Sequence, residues 1–210
     1  IKLEQIWKER DQRVEMVLEP KAREHMENRG ATIFITAHVG PWQVGPMLTK
    51  QYCFTINTIY APESNPVIQE LKLCLRKTLG EKLNATDAVP LPLIKTLHAR
   101  QRINLALDTR PDTGKLVPFF GRDALTNTSA VGLALKTGAS LVLARGERLP
   151  GARYRVTVYD PLESPIPEAP LKDQAVALTT IIHSYFERWI REYPEQWICL
   201  KRRWPKQHKL

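Results

Sequence analysis

His38 closes an apolar run, Ala31-Thr32-Ile33-Phe34-Ile35-Thr36-Ala37, and is followed by Val39-Gly40-Pro41-Trp42-Gln43. Imidazole is the one side chain whose ordinary pKa lets it take and return a proton near neutrality. The run reads as a buried strand over 31–37, and the carboxyl end of a strand in an α/β sheet faces the crevice where ligands bind. Gly40 allows close backbone approach, and Pro41 suits the first turn of a helix. A residue at position 43 then lies about one helical turn beyond Pro41. A carboxylate there would fix the tautomer of His38 and stabilise its imidazolium, and general-base help of this kind contributes typically about 10²–10⁴-fold. Gln43 offers a carbonyl but no charge. The bland alternative, a core histidine satisfied by hydrogen bonds, is outweighed by the Gly-Pro-Trp context.

Asp108 is the second candidate. It ends a predicted strand over 103–107 and opens a stretch, 109–126, punctuated by Pro and Gly. A loop of that length is usually functional or disordered. Asp108 reads evenly as a cap on the loop, or as an acid that positions an acceptor or takes over part of the missing carboxylate's role. Within the stretch, Phe119 and Phe120 lie between Lys115 and Arg122, which suits contact with an acyl chain, although paired phenylalanines are more often core. Arg76 on a predicted helix, and Arg145 with Glu147 after a late strand, are the remaining charged positions near element ends. His25, His98, His183 and His208 show no partner pattern and are assigned no role.

The stretch His38-Val39-Gly40-Pro41-Trp42-Gln43 resembles the His-x4-Asp/Glu motif of the lipid A biosynthesis acyltransferases, lauroyl and myristoyl transferases of the lysophospholipid acyltransferase superfamily. Their usual form is His-Phe-Gly-Asn-Trp-Glu. The resemblance continues in order through Tyr60-Ala61-Pro62 with Asn65-Pro66, Arg76 with Gly80, Asp108 with Pro118-Phe119-Phe120-Gly121, Ala134 to Ala139, and Pro194-Glu195-Gln196-Trp197 with Arg202-Arg203-Trp204. It covers about residue 14 to 205. Ala61 replaces the usual arginine, Thr109 a glutamine, and Gln43 the motif carboxylate.

The resemblance implies a glycerolipid-acyltransferase-like fold and transfer of an acyl group from acyl carrier protein or coenzyme A to a lipid hydroxyl. His38 would be the base, with residue 43 and Asp108 as catalytic partners. Trp42, Arg76, Phe119, Phe120, Arg122, Arg145 and Glu147 are the candidates for substrate contact. It implies no metal and no cofactor beyond the thioester co-substrate, an anionic membrane surface as partner, and residence at the cytoplasmic face of a bacterial inner membrane. It also implies an anchoring segment before Ile1. Three accounts of Gln43 stand open: a change introduced to trap substrate, a natural variant in which Asp108 or another acid supports His38, or a member that keeps lipid binding without transfer.

The elements that must position these residues alternate between strand and helix. Strands are expected at 13–18, 31–37, 54–60, 103–107, 140–144 and 154–159, and helices at 42–51, 67–79, 93–100, 128–137 and 172–192. That alternation predicts an α/β fold with a largely parallel central sheet flanked by helices. A chain of 210 residues without a linker or repeat is one domain, 1–210. Its 43% apolar and 25% charged residues exclude a disordered chain, and no run approaches the roughly 18 apolar residues of a spanning helix. The excess of 31 Lys and Arg over 22 Asp and Glu, a net +9, favours anionic partners. Nucleic acid is not expected among them, because no zinc-finger, RNP or helix-turn-helix signature accompanies the charge. Cys53, Cys74 and Cys199 lack metal-ligand spacing and read as reduced thiols of a cytoplasmic protein. The tryptophans and cations of 197–206 suit a membrane interface or a packed terminus.

Overall fold

The computed structural model describes residues 3–28, 30–48, 56–77, 82–85, 90–199 and 202–204. Its centre is β2 (Thr32–Thr36), a strand buried at every position. Apolar side chains on both faces are what a strand inside a parallel sheet requires. It lies between β8 (Ser140–Leu149) and β5 (Arg102–Ala106), parallel to both, with Ile33 opposite Leu141 on one side and Ile103 on the other. Beyond β5 come β3 (Ile56–Tyr60) and β4 (Lys82–Ala85), again parallel. Beyond β8 lie β9 (Arg153–Val158), which is antiparallel to it, and β1 (Val14–Leu18) at the far edge. The seven-stranded order is β1-β9-β8-β2-β5-β3-β4. The expected α/β fold with a largely parallel sheet and flanking helices is the fold observed.

The period of two along β2 sorts its side chains between two cores. Ile33, Ile35 and Ala37 join Ile103, Leu141 and Leu143 beneath α6 (Pro90–His98), α7 (Ser129–Thr137) and α8 (Leu171–Glu192). In α8 the residues Leu178, Ile182, Phe186 and Trp189 recur every three or four positions, so one stripe of a 22-residue helix faces the sheet. Phe34 joins Ile56, Val142, Val156 and Val158 on the opposite face. That face is covered from α1 (Leu3–Lys8), α3 (Pro20–Glu27) and α4 (Val44–Leu48), which contribute Ile6, Ala22, Met26 and Val44. Two further helices among the described residues are α2 (Arg10–Arg13) and α5 (Pro66–Lys77).

Several expectations about elements are corrected. The predicted loop over 109–126 contains a hairpin, β6 (Lys115–Phe119) paired antiparallel with β7 (Arg122–Thr126). Its two-residue turn, Phe120-Gly121, has φ of 53° and 70°. Positive φ at both turn positions matches the twist of a type I′ hairpin. The strand expected at 140–144 continues to Leu149, because its second half finds a partner in β9. β4 was not anticipated. The helix expected at 42–51 begins at Val44, and the helix end expected at Gly80 lies outside the described residues.

Candidate active site

The register of the sheet builds the site. Thr36 of β2 pairs with Ala106 of β5, so two residues further on, His38 and Asp108 leave adjacent parallel strands side by side. His38 Nδ1 donates to Asp108 Oδ1 at 2.7 Å, and the backbone N–H of His38 donates to Oδ2 at 3.0 Å. The indole Nε1 of Trp197 donates to the same Oδ2, also at 3.0 Å. A carboxylate can only accept, so the ring proton lies on Nδ1 and the lone pair of the neutral imidazole is on Nε2. The Asp108 side chain is 2% exposed and that of His38 is 25% exposed. The acid is therefore internal, while the ring reaches solvent.

Burial pushes the Asp108 carboxyl upward. The hydrogen bond and charge of His38, with the Trp197 and His38 backbone donors, outweigh it and hold the group below the ordinary carboxylate value. Asp108 thus stays ionised beside the imidazole. Gln43 lies half-buried in the turn before α4, and no hydrogen bond joins it to His38. The ring of Trp42 stands edge-on to His38 with centroids 5.0 Å apart.

The loop carrying His38 is held down on two sides. Gly40 N donates to Gln196 O at 2.9 Å, Ile198 N donates to His38 O at 2.8 Å, and Val39 and Trp197 form an antiparallel bridge. On the other side the loop lies on β8. Gly40 has φ +60°, and a Cβ there would stand 2.5 Å from the Gly146 carbonyl oxygen. A Cβ on Gly146 would meet the Pro41 carbonyl oxygen at 3.0 Å. Two facing glycines permit that approach.

A small cavity of about 30 Å³ lies against the sheet beside this loop. Met16, Met26, Phe34, Ile56 and Val158 give it apolar walls, and Trp42 lines it while touching His38. The apolar lining is of the kind that small-molecule sites use. Among the described residues, no group of three or more His, Cys, Asp or Glu is arranged to hold a metal. Cys74 and Cys199 are exposed cysteines outside any disulfide, and Cys53 lies outside the described residues.

The other candidate residues take a range of positions. Phe119 is fully buried in the core under α8, the core placement that paired phenylalanines more often take. Arg145 and Glu147 are buried, and Arg145 lines the cavity. The Arg145 guanidinium pairs with Glu192 at 2.8 Å and Glu147 at 3.5 Å, and lies over Trp189 and Tyr193. Its charge is matched inside the protein, where it ties β8 to the end of α8. Phe120 is half-buried and stacks on Trp197, with ring centroids 6.4 Å apart. Arg122 is exposed on β7. Arg76 lies on α5, and its side chain is outside the described residues.

The terminal segment is structural at three points. Trp197 serves Asp108, Trp204 Nε1 donates to Phe119 O at 3.1 Å, and Arg203 is buried. Arg203 donates to Leu125 O and Thr126 Oγ1, both at 2.7 Å, and its Nη2 lies 3.3 Å from His183 Nε2. His183 Nδ1 donates to Pro118 O at 2.8 Å. Desolvation pushes His183 down to about 4, with the neighbouring Arg203 acting in the same direction, so the ring is a neutral acceptor.

Sequence spacing did not single out Trp197 as a partner of Asp108. The available signal was that a buried indole N–H needs an acceptor. No helix among the described residues is long and apolar enough to cross a membrane. No curated protein sequence matches the chain. The family model for bacterial lipid A biosynthesis acyltransferases matches residues 1–206. On that match the chain belongs to the bacterial lipid A biosynthesis acyltransferase family, whose reaction type is acyl transfer.

Proposed function

We propose that this chain moves a fatty acyl group from the thioester of an acyl carrier protein or coenzyme A to a hydroxyl of a lipid A precursor or a related phospho- or glycolipid. The reaction takes place at the cytoplasmic face of a bacterial inner membrane. The observation that supports this reading best is the Asp108–His38 pair opening beside an apolar cavity.

Nε2 of His38 takes the proton of the acceptor hydroxyl as that oxygen attacks the thioester carbonyl carbon. Asp108 stabilises the imidazolium that results. The tetrahedral intermediate collapses with cleavage of the carbon–sulfur bond, and the imidazolium returns its proton to the leaving thiolate. A thioester is already activated, so the step requires no metal or redox partner. The acyl chain lies along the apolar walls that open beside the loop, with Trp42 between chain and base. The +9 balance draws both an acidic carrier protein and an anionic lipid surface.

Gln43 favours a second reading, a member that binds lipid without transferring. The test is acyl transfer from a radiolabelled acyl carrier protein to a panel of lipid acceptors in detergent, with lipid binding measured in parallel for the parent and His38→Ala. Loss of turnover in His38→Ala with lipid binding retained supports catalysis. A parent that binds lipid as His38→Ala does, and transfers nothing across the panel, removes it.

A further inference from the structure

We propose that Trp197 is a positioning residue for the Asp108–His38 pair, and that the segment carrying it, docked on the His38 loop through an isolated antiparallel bridge, keeps the carboxylate aimed at Nδ1. The catalytic consequence rests on the function proposed above; the positioning itself does not.

The argument begins with what Asp108 can reach. Oδ1 receives His38 Nδ1, while Oδ2 receives two donors from different directions, the His38 backbone N–H and the Trp197 indole. Rotation of the carboxylate about its Cβ–Cγ bond, which would turn Oδ1 away from the ring, breaks both bonds on Oδ2. A side chain 2% exposed has little access to water that would replace them. Charge-assisted bonds of this kind are shorter and stronger than neutral ones.

Trp197 is itself fixed. It bridges Val39, and the backbone bonds Gly40 to Gln196 and Ile198 to His38 flank it on both sides. Phe120 stacks on its ring, and Phe119 stands edge-on at 6.1 Å. Phe120 in turn occupies the left-handed region at φ 53°, where a phenylalanine is uncommon. Its N–H is taken by Glu187 Oε1 at 2.7 Å, and Arg191 lies over its ring at 4.8 Å. Contacts therefore run without a gap from α8 through the hairpin turn and Trp197 to the acid behind His38. Packing alone would be served by any aromatic ring at 197; the indole N–H on Oδ2 is what packing does not require.

Two variants separate these roles: Trp197→Phe, and a chain with β-(3-benzothienyl)alanine incorporated at 197, which replaces the N–H by sulfur in nearly the same shape. Each is followed by ¹⁵N NMR of the histidine rings across pH, with His38→Gln identifying the His38 signals among five histidines, and by kcat, KM and the pH profile of acyl transfer. With one donor fewer, the carboxylate's charge is less shared, so the pair takes up its proton at higher pH and the acid limb of the rate profile moves up with it. We expect kcat to fall roughly tenfold for the lost charge-assisted bond, with KM unchanged.

A folded benzothienyl chain with an unmoved titration and unchanged kcat overturns the proposal, whether or not Trp197→Phe folds. A shifted titration in a chain whose parent transfers no acyl group upholds the positioning and removes the proposed function. An active parent with an unshifted titration does the reverse.

Discussion

Asp108→Asn is the sharpest test of the site, because the hydrogen-bond inventory fixes which way the amide must turn. With its oxygen toward His38 Nδ1, the amide NH₂ faces two donors, the His38 N–H and the Trp197 indole, each 3.0 Å from the oxygen it replaces. A buried donor left without an acceptor costs about 1–3 kcal/mol, so this orientation is disfavoured by roughly 2 kcal/mol or more. Turned over, the amide satisfies both donors but presents NH₂ to Nδ1. The ring proton then moves to Nε2, the tautomer that cannot accept a proton from a substrate hydroxyl. A 2 kcal/mol preference leaves only about 3% of the competent tautomer, and the imidazolium also loses its counter-charge. We therefore expect kcat to fall about 10²–10⁴-fold, comparable with the roughly 10⁴-fold drop of the same exchange in a Ser-His-Asp triad. KM should stay within about threefold, since Asp108 does not line the cavity. The assay is single-acceptor acyl transfer at saturating thioester, with the melting temperature followed alongside. Gln43→Glu serves as comparator: with no hydrogen bond between Gln43 and His38, it should change kcat far less than Asp108→Asn. An Asp108→Asn chain within tenfold of the parent refutes the reasoning, as does a Gln43→Glu chain that exceeds the parent by 100-fold.

Gly40→Ala should lower both stability and turnover, since φ +60° and a Cβ 2.5 Å from the Gly146 carbonyl force the His38 loop off β8; the cost is about 1–3 kcal/mol by chemical denaturation. Phe119→Ala should cost about 3–5 kcal/mol of stability for a fully buried ring, and lipid affinity of the folded fraction, measured by vesicle flotation, should not change. His183 is held neutral, from the ordinary 6.5 down to about 4. Its contribution is therefore complete above 6.5 and is lost as pH falls towards 4, because only the unfolded chain takes the proton in that window. Urea titrations at pH 7 and pH 4 should differ by roughly 3 kcal/mol more for the parent than for His183→Gln, whose amide can donate to Pro118 O and accept from Arg203. Asp108 acts in a separate window. Its lowered value makes its contribution present above the ordinary 3.8 and lost only at more acid pH.

How much of this was legible in the sequence depends on what each feature needed. β2 was legible because a strand buried on both faces is an unbroken apolar run, and the chemistry-bearing residue at its end follows from strand polarity alone. The hairpin was not. Its turn places Phe120 at positive φ, where Asn, Asp or Gly would be the signal, and Pro118 argues against a strand. The extra hydrogen bond from Phe120 to Glu187 comes from α8, 67 residues away, and nothing local announces it. The same limit governs the site. Two strand ends, at His38 and Asp108, could be read separately, but which strands are neighbours is decided by the order of the sheet. A spacing argument looks for the carboxylate five residues after the histidine, and finds glutamine. In the folded chain β5 lies against β2 with Ala106 opposite Thr36. Adjacent strands in a sheet are about 4.8 Å apart, so two residues beyond that pair an aspartate 70 positions away lies within hydrogen-bonding reach of the ring. Residue 43, in the turn before α4, makes no such contact. What pairs an acid with His38 is register rather than motif, and a substitution that slips β5 against β2 should disconnect the pair even with every site residue intact.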